Sequence, residues 1–189
     1  MNSEEALFQK LVENRRLGTQ ISLELWLKHE VFTWQWCISL ALFIFPYIIL
    51  WKIVDRKRIL EIAVYGLHIN IFATLLDVIG SEVVYWKYIG RLIPTPPALL
   101  PYDFTVLPMA LMAVYQKYPK WKDFIIANTI VSALFSFVAE PLLILLDMYK
   151  PLGWKHYYSF PIYILLAVFS KWLVQKFKEK QQSEFIGEK

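Results

Sequence analysis

The stretch SFVAEPLLILLD, residues 136–147, sets the problem that decides the fold. It holds a carboxylate, Glu140, followed by a helix-breaker, Pro141, inside an apolar run long enough to cross a bilayer. An ionised side chain in hydrocarbon costs about 2.5–3.5 kcal/mol on insertion scales, so such a residue needs a partner, a water-filled cavity or a proton. Proline has no N–H to give, and this one frees a backbone carbonyl about one turn earlier, near Phe137. Outside the bundle interior neither feature is tolerable.

The rest of the chain agrees with a membrane setting. Of its 189 residues 57% are hydrophobic and only 19% charged, against about 45–50% and 25% in ordinary soluble domains. The charges cluster between uncharged blocks, and the mean hydropathy is +0.41. We read an all-α, polytopic helical membrane bundle with five transmembrane helices: Val31–Trp51, about Ile59–Val84, about Leu99–Tyr118, about Phe124–Met148 and about Tyr158–Val174. At 1.5 Å per residue, about 20 residues cross about 30 Å of hydrocarbon. The fifth span is the shortest, with Lys171 expected to snorkel from its end. Residues 1–30 form an amphipathic N-terminal lead, residues 31–175 the bundle, and residues 176–189 a polar, basic tail.

Within the lead, SEEALFQKLVENRRL (3–17) has helix signals: acidic residues first, Arg15 and Arg16 last, an apolar stripe of Leu7, Phe8, Leu11 and Val12, and Gly18 as the stop. No signal peptide is expected, because the first apolar run starts near residue 31 after a charged lead. The loop YWKYIGRLIPTPPALLP (85–101) contains Pro94, Pro96 and Pro97, which impose an extended path.

Twelve of the 20 Lys and Arg fall on one side of a five-span topology, in the first and third loops and the tail. Positive residues favour the cytoplasm, so the C-terminus is assigned there and the N-terminus outside. The net charge of +4 therefore reads as membrane orientation, and no nucleic-acid partner is expected. Tryptophans near the span ends, among them Trp86, Trp121, Trp154 and Trp172, read as interface anchors. The single cysteine, Cys37, excludes an internal disulfide or a multi-Cys metal site, and is expected to pack as a small hydrophobe.

The candidate site comes from polar residues inside spans. Asp77, Asp103 and Glu140 all fall in the outer half of the bilayer. In the second span Gly66, Asn70, Ala73, Thr74, Asp77, Gly80 and Ser81 share one helical face; in the fourth, Asn128, Ser132, Ser136 and Glu140 repeat every fourth residue. Small polar faces let membrane helices approach and hydrogen-bond, so glue between helices is one reading. The other is an outward-facing acidic pocket lined by Asp77, Asp103 and Glu140, with Asn70, Asn128, Ser132 and Ser136 around it. Such a pocket would bind or transport a cation, a proton or a small polar or lipid ligand. Two further readings stay open: a membrane-embedded enzyme using a carboxylate pair on a lipid-soluble substrate, and an accessory subunit of a membrane complex. Five spans are few for a solitary transporter, which makes a homodimer or membrane partner plausible. His68 lies on the opposite face from Asp77. No HxxxH, ExxH, GxSxG, Walker loop or GxGxxG occurs, so no metal site, cofactor or covalent nucleophile is assigned.

The motifs LLDVIG (75–80), PYDF (101–104), YQKYPKWKDFIIAN (115–128), FSFVAEP (135–141) and YYSFPIYIL (157–165) resemble a family of small multi-pass membrane proteins of spore-forming Gram-positive bacteria. The resemblance covers about residues 40 to 175. It implies a bacterial cytoplasmic membrane location and shared motifs around Asp77, Asp103 and the Glu140–Pro141 pair. It implies no biochemical activity.

Overall fold

The structure, a computed structural model, describes residues 3–95 and 100–187, with side chains through residue 183. Pro96, Pro97, Leu99 and Lys189, which enter the expectations above, lie outside the described residues. Seven helices and one short hairpin follow in the order α1 (Ser3–Leu25), α2 (Trp34–Ile53), α3 (Ile59–Glu82), β1 (Trp86–Tyr88), α4 (Leu107–Lys117), α5 (Trp121–Leu134), α6 (Glu140–Leu145), β2 (Tyr149–Pro151) and α7 (His156–Gly187). Among the described residues, four stretches are long and apolar enough to cross a membrane: Trp34–Ile53, Arg56–Glu82, Trp121–Leu145 and His156–Ser183. That is the make-up of a multi-pass membrane protein.

Helix α4 falls short of that measure for a physical reason. With the π turn before it, Tyr102–Val106, it runs for about 24 Å at 1.5 Å per residue, and it carries Tyr102, Asp103, Thr105 and Pro108. It is also the most enclosed helix, with Asp103, Thr105, Leu107, Met109, Leu111, Met112, Val114 and Tyr115 buried. A helix walled in by α2, α3 and α5 has no lipid to match, so its composition is set by its neighbours. The core lies along this helix. The buried stripe of α3, Ile62, Tyr65, Ile69 and Ala73, meets Leu107, Leu111 and Tyr115, with Phe124 of α5 and Leu166, Ala167 and Val174 of α7 closing it. Tyr65 and Tyr115 stack at 4.2 Å between centroids. Gly66 leaves room for the Met112 thioether, which would have to shift if a Cβ were present.

Prolines shape three contacts. Pro46 sits inside α2 and cannot donate to the carbonyl of Leu42. Thr105 shares its one hydroxyl hydrogen between that carbonyl, at 2.7 Å, and Pro101 O. Pro108 and Pro141 each follow a π turn in which the preceding residue reaches back five positions, Leu107 N–H to Tyr102 O and Glu140 N–H to Phe135 O. The extra residue in each turn rotates the chain, and such bulges recur at functional sites. Asp103 lies inside the first and Glu140 directly after the second.

The two ends of the bundle differ. At one end Glu61 accepts from Arg58 at 2.8 Å, Lys178 at 2.7 Å and Tyr115 at 2.6 Å. Lys171, 1% exposed, donates to Tyr118 O at 3.1 Å and Pro119 O at 3.0 Å, and its ammonium stands 4.1 Å from the Phe124 ring centre. This corrects the expectation that Lys171 snorkels: α7 continues for four more turns, and the lysine ties α7 to the α4–α5 turn. Residues 176–187, in the expected polar tail, continue that helix.

At the other end β1 and β2 pair antiparallel, Trp86 opposite Pro151 and Tyr88 opposite Tyr149. Val84 at φ +62° and Asp147 at φ +53° make the turns into the two strands. Beside the hairpin, buried Glu30 holds Arg91 through Nη2 at 2.6 Å and Nε at 3.0 Å. Arg91 Nη1 also donates to Ser22 Oγ at 2.9 Å, and the Trp26 indole donates to Arg91 O at 2.8 Å. These bonds dock the lead. Helix α1 runs through Gly18, which sits in open space, and a π turn at Trp26–Glu30 ends it. The expected stop fails because no left-handed turn forms there, and a helical glycine costs only about 1 kcal/mol. Cys37 is exposed on α2, not packed as expected.

Candidate functional site

Three carboxylates from three parts of the sequence reach one cavity of about 190 Å³. Asp77 arrives on the interior stripe of α3, and Asp103 and Glu140 through their π turns. They are 5%, 6% and 6% exposed. A single water needs about 10–15 Å³, so the space suits a larger occupant. Aromatic residues make a large part of the wall: Trp86, Tyr88, Tyr102, Tyr149, Trp154 and Tyr163. Among the described residues no Lys, Arg or His lines it.

The carboxylates form two stations. At the first, Asp77 Oδ1 accepts from the Trp86 indole at 2.9 Å and from the Tyr88 hydroxyl at 2.6 Å. The Asp103 carboxyl lies within hydrogen-bonding reach of Asp77. Two carboxyls this close in apolar surroundings require a proton or a cation between them. Burial, and then the nearby Asp77, hold the Tyr88 phenol well above its usual range, so it stays a donor. At the second station Glu140 Oε1 accepts from the Tyr163 hydroxyl at 2.8 Å. Glu140 Oε2 has no hydrogen-bond partner among the described residues. Ser159, which accepts from the Trp154 indole at 3.0 Å, also lines the cavity. Among the described residues no group of three or more His, Cys, Asp or Glu is arranged to hold a metal ion.

The hairpin builds the first station. Trp86 and Tyr88 are two apart on a strand and so share one side of it. Trp86 lies over Gly80, where any Cβ would overlap the indole. Trp86 and Trp154 meet edge to face at 5.1 Å, and Tyr88 and Tyr149 stack at 5.4 Å.

The other expected site residues lie elsewhere. Asn70 donates to the backbone carbonyl of Asp103 at 3.3 Å, which steadies the π turn but does not line the cavity. Asn128, Ser132 and Ser136 are fully buried along α5 and its π turn. They are absent from the cavity wall, and their side-chain polar atoms have no partner among the described residues. Residue spacing placed them under Glu140; the π turn at Phe135–Ala139 breaks that register, because its extra residue turns Glu140 away from the stripe. The aromatic wall was missed. Trp86 and Trp154 read as interface anchors, yet both line the cavity. The available signal was the alternation of Trp86 and Tyr88 beside a span that ends in Gly80 and Asp77.

Comparison with protein-family models, with curated proteins and with solved structures gave no match.

Proposed function

We propose that this chain is a five-span protein of the bacterial cytoplasmic membrane, akin to the small membrane proteins of spore-forming Gram-positive bacteria, whose acidic cavity binds or moves a cation, a proton or a small polar or lipid ligand. The N-terminus lies outside and the C-terminus in the cytoplasm, so the cavity belongs to the outer half of the bilayer. Support for the fifth span comes from the enclosure of α4. Support for the orientation comes from the basic residues Arg58, Lys171 and Lys178, which gather at the end opposite the hairpin.

One observation carries the functional reading: Asp77, Asp103 and Glu140 line a single cavity on whose wall, among the described residues, stands no Lys, Arg or His. Helix glue needs hydrogen bonds, but it does not need three carboxylates without a counter-cation around an open volume. The test is cation binding by the purified protein, followed through tryptophan fluorescence because Trp86 bonds Asp77 directly. Wild type should give a saturable response. Asp77→Asn and Glu140→Gln should each remove it while the protein stays monodisperse, and Ser132→Ala should keep it. A response untouched by both carboxylate changes, or no response to any cation, would reduce the stripes to packing.

A further inference from the structure

The wall of the cavity says more about the cation than its charge. We propose that the ligand is an organic ammonium group, held between the Asp77–Asp103 pair and Glu140 by the aromatic residues around it. This rests on the reading that the cavity takes a cation. Glu140 is the first reason: at 6% exposure its Oε2 makes no close hydrogen bond among the described residues, the Ser159 hydroxyl standing beside the carboxyl, although it lines an open volume. A carboxylate oxygen in that position fits a donor carried by the ligand.

The second reason is the kind of wall. A small hard cation such as Ca²⁺ takes about six to eight oxygen ligands at about 2.3–2.6 Å. Here the three carboxylates are divided between two stations and do not form a metal-holding group. The space between them is bounded by Tyr88, Tyr102, Tyr149 and Trp154, rings that cannot replace a hydration shell but do attract an alkylated ammonium. The hydroxyls of Tyr88 and Tyr163 and the indole of Trp86 are already donating to the carboxylates, so those groups orient the anions and leave the ligand to meet rings and charge.

The third reason is the open side. The exposed members of the wall are Leu76, Ile79 and Tyr85, on the last turns of α3 and just beyond. An opening edged by leucine and isoleucine faces hydrocarbon more readily than water. A ligand with a cationic head and an apolar tail matches both ends. A soluble amine and an amine-bearing lipid headgroup both carry this ammonium, and the chemistry at the site is the same for either.

Fluorescence titrations of the purified wild-type protein test this directly. Tetramethylammonium and dodecylammonium chlorides are compared with NaCl, KCl and MgCl₂ at matched ionic strength. In a parallel arm, nanodiscs of phosphatidylglycerol are compared with nanodiscs that also contain phosphatidylethanolamine. The ammonium salts should saturate and the inorganic salts should neither reproduce nor displace them. Tyr149→Leu, which removes a ring and keeps every carboxylate, should weaken ammonium binding roughly tenfold or more, the size of one desolvated cation–π contact. Tighter binding of dodecylammonium, with occupancy by phosphatidylethanolamine, assigns the lipid source; equal binding of tetramethylammonium assigns the soluble one, and both support the proposal. Carboxylate-dependent binding of Na⁺, K⁺ or Mg²⁺ without ammonium binding overturns it and leaves the cation site standing. No binding of any cation overturns both. Selectivity is read on wild type, so a variant that fails to fold does not remove the test.

Discussion

Single residues carry long-range consequences here because hydrocarbon leaves backbone groups no water to fall back on. Pro46 and Thr105 show it. The proline deprives Leu42 O of its helical donor, and a threonine 63 positions away supplies one at 2.7 Å. Thr105→Val keeps the shape and removes the hydroxyl, so it should cost about 1–2 kcal/mol. In a Pro46→Ala background, where residue 46 has its own N–H, the same change should cost less by about 1 kcal/mol, a coupling that a double-mutant cycle of unfolding free energies measures. Additive costs would show that the threonine bond answers nothing made by the proline. The same scale explains Gly80: only the absence of a Cβ lets Trp86 lie against α3 and reach Asp77.

Among the elements, the lead and the hairpin depend on one another. Helix α1 buries no residue of its own, so propensity and a few side-chain bonds are what hold it. The strongest of these is Glu30–Arg91, with side chains only 9% and 15% exposed. Removing one partner of a buried ion pair costs about 3–5 kcal/mol, because the other is left charged and unpaired. Arg91→Met should therefore release the lead, seen as faster amide exchange and protease cleavage across residues 10–25 with the core unchanged. Adding Glu30→Gln should recover much of the protection. Unaltered exchange in Arg91→Met would mean that α1 is held by something else. The π turns belong to this scale too. The spacing of Asn128, Ser132, Ser136 and Glu140 reads as one stripe only while the helix keeps 3.6 residues per turn, and the bulge before Pro141 ends that regularity.

For the molecule as a whole, the number of crossings turns on whether the enclosed α4 is one of them. Five crossings put the two ends on opposite sides; four put them on the same side. In a Cys37→Ser background, Glu13→Cys should react with a membrane-impermeant maleimide on intact cells, and Lys180→Cys should react only after lysis. The reverse pattern would invert the orientation. Reaction of both sites on intact cells, or of neither, would remove α4 from the spans.

The sequence by itself determined the class of the molecule: long uncharged runs separated by basic loops can only be satisfied as membrane helices, since period and length are local properties. It also picked out Asp77, Asp103 and Glu140, because a carboxylate in an apolar run is conspicuous in one dimension. Tertiary structure decided what surrounds them. The aromatic wall comes from a two-stranded hairpin joining residues 86–88 to 149–151, and from π turns that redirect two of the three carboxylates. Neither is written in any single stretch. Pairing between distant strands depends on where the helices between them end, and a bulge depends on which neighbour takes up the carbonyl that a proline leaves free.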